Sequence, residues 1–139
     1  MRHGGTGPRL VTRAVASLVA AVLIGACSAA PESVRIEIVI RYSAFDPAQI
    51  TVPRDVPVTF VLINEDPIEH EWLIGDAAFH ARHRTGTEPH HGERPDEVSI
   101  PPLATAETTL AFSQPGELSF ICHVPGHEAY GMVGTLVVR

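Results

Sequence analysis

From Val34 onward, apolar residues recur at every second position. Val34, Ile36, Ile38, Ile40 and Tyr42 fall on one side, with Arg35, Glu37 and Arg41 on the other. A period of two is that of a strand with one buried face; a helix would scatter these positions around its axis. Further short runs predict strands at 50–52, 56–64, 70–74, 97–100, 106–112, 117–122 and 132–138. Turn chemistry separates them: Asp46-Pro47, Pro53, Asp66-Pro67, Pro101-Pro102, Pro115-Gly116 and Pro125-Gly126. Short strands at regular spacing with Pro and Gly between them predict an all-β sandwich. Neither a convincing amphipathic helix nor an internal repeat interrupts that pattern. One stretch does break the rhythm. Residues 76–96 (DAAFHARHRTGTEPHHGERPD) carry four histidines and no strand pattern. They are longer than an ordinary connection and are expected to be an inserted loop, with a helical turn near 77–82.

The first 33 residues follow other rules. Residues 1–13 are basic and Gly-rich, the apolar run 14–24 follows, and Ile24-Gly25-Ala26-Cys27 closes it. Spanning a bilayer takes about 20 apolar residues, so this run is too short. Its layout is that of a secretory signal, and I-G-A-C resembles a bacterial lipobox. The expectation is a signal peptide over 1–26 and lipidation at Cys27. A tether over 27–33 and a single domain over 34–139 would follow. The protein would then be exported and held at a membrane by its lipid, facing the periplasm or the cell exterior. An ordinary cleaved signal with an incidental cysteine is the plainer alternative.

Charge narrows the partners. The 139-residue chain has 10 basic side chains, all arginine, against 16 acidic ones. Arg2, Arg9 and Arg13 lie in the leader, so the remainder carries 7 Arg against 16 acids, a balance of −9. A body so acidic does not suit nucleic acid. Cationic protein faces or metal ions suit it better. Two cysteines exclude a disulfide scaffold and a four-cysteine zinc site. If Cys27 carries lipid, Cys122 has no disulfide partner, which leaves a buried structural thiol or a metal ligand.

The informative stretch is 120–133, FICHVPGHEAYGMV. Leu118, Phe120 and Cys122 share one strand face, so a core-facing Leu118 and Phe120 imply a core-facing thiol. The spacing C-x4-H-x4-M adds His127 and Met132, and Pro125-Gly126 and Gly131 let the backbone curl back to bring all three together. Thiolate and thioether are soft donors, and thioether is a poor zinc ligand. Two imidazoles, one thiolate and a weak axial thioether make a type 1 copper site. The second imidazole is assigned to His70, which opens a strand just after the Asp66-Pro67 turn. His123 should point to the opposite face of its strand and is read as a non-ligand.

These residues, C-H-V-P-G-H-E-A-Y-G-M-V-G-T-L-V-V with H-E-W upstream after an Asn-bearing strand, resemble a cupredoxin of the plastocyanin/azurin superfamily. The resemblance covers about 34–139. It implies a Greek-key sandwich with His70, Cys122, His127 and Met132 around one copper cycling between Cu(II) and Cu(I). Four residues between Cys122 and His127 are closer to azurin and several bacterial cupredoxins than to plastocyanin.

The function implied is single-electron transfer without catalysis. Its expected partners are transient redox proteins, met by a monomer whose acidic body favours a basic docking face. A nucleophilic Cys–His enzyme is the rival chemistry, but no orienting group for it is evident. A second reading uses the insertion. His80, His83, His90 and His91 fall within twelve residues and offer a second copper site, which would fit copper sequestration or delivery. The lack of a soft partner there favours a solvated polar loop instead.

Overall fold

A computed structural model of the chain describes residues 1, 3–4, 33–86 and 94–139. Cys27, His90 and His91, with the expected signal, lipidation and half of the histidine-rich set, lie outside the described residues.

Among the described residues, nine strands form two sheets and one helix packs beside them. The strands are β1 (Val34–Arg41), β2 (Ala44–Asp46), β3 (Gln49–Val52), β4 (Val58–Asn64), β5 (His70–Gly75), β6 (Glu97–Ile100), β7 (Thr105–Leu110), β8 (Gly116–Ile121) and β9 (Val133–Val138). One sheet has the order β2-β1-β4-β7 and the other β3-β9-β8-β5-β6. Both are mixed: β1 runs parallel to β4 and β3 parallel to β9, while the other pairs are antiparallel. The expected all-β sandwich is therefore present.

Aromatic rings close the space between the sheets. Phe60 on β4 meets Trp72 on β5 with centroids 4.9 Å apart, and Phe45 on β2 meets Phe120 on β8 edge-on at 5.2 Å. Such geometry adds to the large area that each ring removes from water. Phe120 also fills the hollow over its ladder partner Gly134, where an added Cβ would sit 2.1 Å from the Phe120 ring.

Three expectations are corrected. The alternation of β1 ends at Arg41, and Tyr42 does not share its buried face. Tyr42 and Ser43 both take φ 54° in a tight turn, which leaves Tyr42 exposed. That turn leads into β2, a strand of three residues, too short to show a period. The third correction concerns 76–96, where the expected single turn is a nine-residue helix, α1 (Ala77–Thr85). Asp76 caps its start by accepting from the Phe79 N–H at 2.7 Å, and Gly86 ends it at φ 64°. Both are favoured capping residues, and Arg82, His83 and Arg84 complement the dipole of the last turn. Only Phe79 and His80 are buried, so the helix has no apolar stripe for periodicity to detect.

Candidate metal centre

Strand pairing builds the site at one pole. β5 runs antiparallel to β8, with Leu73 opposite Ile121. The first residues of β5 therefore lie beside the chain just beyond β8. The Glu71 N–H points at the Cys122 Sγ, 3.4 Å away. The loop after Cys122 returns through two glycines, Gly126 at φ 91° and Gly131 at φ 97°, a region that disfavours side chains. Three backbone bonds hold it: His127 N–H to Val124 O at 3.0 Å, Met132 N–H to His127 O at 3.0 Å, and Cys122 N–H to Met132 O at 3.2 Å. This interleaving is what brings Cys122, His127 and Met132 together.

The donor atoms converge as the spacing predicts. Cys122 Sγ lies 3.3 Å from His127 Nδ1 and 4.0 Å from His70 Nδ1, and the two Nδ1 atoms are 3.1 Å apart. Among the described residues, His70, Cys122 and His127 form a group whose ligand atoms all lie within 4.8 Å of one another. Met132 is fully buried and belongs to the same core cluster as Cys122. His123 turns the other way, as expected, and lies against α1.

Hydrogen bonding fixes the tautomer of His70. Its Nε2–H donates to Asp66 Oδ2 at 3.0 Å, so Nδ1 presents a lone pair to the centre. Metal-binding imidazoles are typically held this way by a carboxylate behind them. Asp66 also accepts the Tyr42 and Ser43 N–H groups, each at 2.8 Å. Burial works to raise its pKa, but these two bonds and the His70 ring outweigh it and hold the carboxyl below its usual range. Asn64 anchors the same loop: its amide donates to the carbonyls of Ile68, Ile100 and Pro101, and its oxygen accepts from the Asp66 N–H. Burial pushes the Cys122 thiol up, with the Glu71 and Val124 N–H groups pulling partly the other way. Burial and the neighbouring His70 lower His127.

Two imidazoles, a thiol and a buried thioether are a soft set with a trigonal core, and this fits copper better than zinc. The His70 Nδ1 lone pair, 3.1 Å from His127 Nδ1, is aimed at the point where the three donor atoms meet. Strand period and ligand spacing do not single out Asp66 and Asn64 as positioning residues. The available signal was the N-E-D-P-I-E-H segment, with a carboxylate four residues before the histidine. For Asp66→Ala we expect copper affinity to fall by about 10–100-fold, the usual cost of losing a ligand's supporting partner. The metal-free protein should lose about 2–4 kcal/mol, because two loop N–H groups and a ring N–H lose their acceptor. Chelator competition and thermal melting measure the two effects; an unchanged affinity would remove Asp66 from the support of His70.

The rim of this pole is apolar. Tyr42 and Leu103 both donate backbone N–H groups to Asp66, Ile68 gives its carbonyl to Asn64, and Tyr130 donates its N–H to the His127 carbonyl. All four side chains are exposed, Tyr130 at 86% and Leu103 at 72%.

Comparison with known proteins places this geometry. A family model described as a cupredoxin-like domain matches residues 14–138. The copper-resistant cuproprotein CopI of Pseudomonas aeruginosa is 34% identical over 143 residues, covering 80% of this chain and 79% of that protein. CopI of Rubrivivax gelatinosus is 39% identical over 99 residues, covering 68% of this chain and 59% of that protein. Among solved structures, auracyanin A, a "blue" copper protein of Chloroflexus aurantiacus, superposes with a TM-score of 0.60 at 27% identity. That match covers 77% of this chain and 99% of auracyanin A. With its two-sheet sandwich and a buried donor set that fits one type 1 copper, the chain belongs to the cupredoxin-like domain family.

Proposed function

We propose that the protein is a mononuclear type 1 copper protein that exchanges single electrons, with His70, Cys122, His127 and Met132 as the residues that would hold the copper. The convergence of Cys122 Sγ with two Nδ1 atoms in a buried pocket carries this reading. Copper supplies a Cu(II)/Cu(I) couple. The chain supplies a fixed cage, since His70 is held by Asp66 and Cys122 and Met132 are bonded to each other through the backbone. A cage that resists rearrangement suits both oxidation states. His127 is half-buried and gives the site an edge toward solvent, and the exposed rim of the same pole carries Tyr42, Ile68, Leu103 and Tyr130. Such a rim suits brief docking of a redox partner on a small interface, with the acidic body steering basic partners at low salt.

A second reading is copper handling, favoured by the names of the CopI relatives, which are called copper-resistant cuproproteins. Export and lipid anchoring at Cys27 complete the proposal on the strength of the leader pattern alone; incorporation of labelled fatty acid, lost in Cys27→Ser, tests it.

The deciding experiment is a Cu(II) titration of the purified protein followed by redox titration. An intense thiolate-to-copper band, saturating at one copper and bleached reversibly by one electron, is expected. Absence of the band overturns the ligand assignment. A band that cannot be bleached and restored overturns electron exchange and leaves handling.

A further inference from the structure

On the far side of the Cys122 strand, α1 brings a second group of imidazoles together, outside the centre described above. His80 Nδ1 lies 2.9 Å from His123 Nε2. The other nitrogen of His80 donates to the Ser119 carbonyl at 3.1 Å, so Nδ1 carries a lone pair. The other nitrogen of His123 faces Glu128 Oε2 at 3.6 Å. Arg84 holds that carboxylate in place through its Nε, 2.9 Å from both oxygens.

A neutral imidazole has only one N–H. If His123 gives it to His80, its own Nδ1 lone pair faces a carboxylate. If it gives it to Glu128, two lone pairs meet at 2.9 Å. A cation bound by His80 Nδ1 and His123 Nε2 removes the conflict: His80 keeps its bond to the Ser119 carbonyl, and the remaining N–H of His123 faces the Glu128 carboxylate. This is the arrangement of His70, whose Nε2 is held by Asp66 while Nδ1 faces His127 Nδ1. The ring of His83 lies nearly parallel to that of His123, at 16° with centroids 5.8 Å apart. Its Nδ1 sits 3.1 Å from the Phe79 carbonyl and its Nε2 faces Glu97 Oε1 at 3.5 Å, so the ring packs beside the pair while its nitrogens are engaged elsewhere.

We propose that His80 and His123 form a second metal site that takes a borderline divalent ion, Cu(II) foremost. Imidazole and carboxylate suit Cu(II), Ni(II) and Zn(II), and Cu(II) binds such donors most tightly. The site differs from the histidine-rich loop set. It keeps His80 alone from that set and recruits His123 from the strand end, which places it one residue from Cys122 and on the opposite face. It does not depend on copper at Cys122, so the two sites stand or fall separately.

The test compares wild-type protein with His80→Gln, both saturated with Cu(II) and freed of loose metal. Gln keeps a donor for the Ser119 carbonyl and removes the Nδ1 ligand. We expect the variant to hold one copper fewer while its thiolate-to-copper band stays at wild-type intensity, so that band reports folding and the first site independently. In the unmutated protein, pulsed electron paramagnetic resonance on the copper that lacks the thiolate band should show coupling to at least two imidazoles. An unchanged metal count in His80→Gln overturns the proposal. So does wild-type protein that holds no copper beyond the first site, or a second Cu(II) signal with fewer than two imidazoles. If His80→Gln fails to fold, the resonance measurement on the wild type decides.

Discussion

Cys122→Ser is expected to fold, to bind Cu(II) without any thiolate band, and to lose more copper affinity than the about 10–100-fold typical of an outer-shell change. The side chain is fully buried, and its sulfur lies within 4.0 Å of both ring nitrogens. No other thiol in the described residues can substitute for it. A serine oxygen occupies nearly the same place and can accept the Glu71 N–H that now points at the sulfur. The metal-free protein should therefore melt within about 5 °C of wild type, a change of about 1 kcal/mol or less. Absorption, chelator competition and thermal melting of the metal-free form separate these effects. Retention of the band would exclude Cys122 as the thiolate ligand, and wholesale unfolding would make its role chiefly structural.

Phe120→Ala should produce the larger loss of stability, about 3–5 kcal/mol, the usual cost of emptying a buried aromatic position. Phe120 is fully buried, contacts Phe45 across the sandwich and lies 6.1 Å from Trp72. Because Gly134 has no side chain to collapse into the space, little relaxation is available on that side. For a domain of about 100 residues this corresponds to a melting temperature lower by roughly 15–25 °C. Phe120 stands two residues before Cys122 on the same strand face, so the copper band should also broaden or shift. A drop of only a few degrees would show that the core repacks around Gly134.

Much of the site could be read from the chain because its signals are local. Cys122, His127 and Met132 sit in one short loop, and the Pro-Gly turn and Gly131 between them permit the return that brings them together. His70 required an assumption about a distant strand, and the pairing of β5 with β8 supports it. α1 leaves almost no periodic trace in the sequence. It buries only Phe79 and His80, and its evidence lay in the caps, Asp76 and Gly86, rather than in any period. Alternation carries no information about where a positive φ ends a strand, and Tyr42 leaves the buried face for that reason.

The order of apolar and polar residues determined that the chain forms a two-faced β structure, and the ligand types determined the class of metal. Both follow from short-range rules, the alternation of side chains along a strand and the softness of donor atoms. Non-local pairing decided the rest. The parallel partners β1–β4 and β3–β9, the carboxylate of Asp66 behind His70, and the meeting of His80 with His123 join residues whose spacing in the chain follows no repeat. Such contacts are set by how two twisted sheets and one capped helix share a single core, and no window of sequence contains that information.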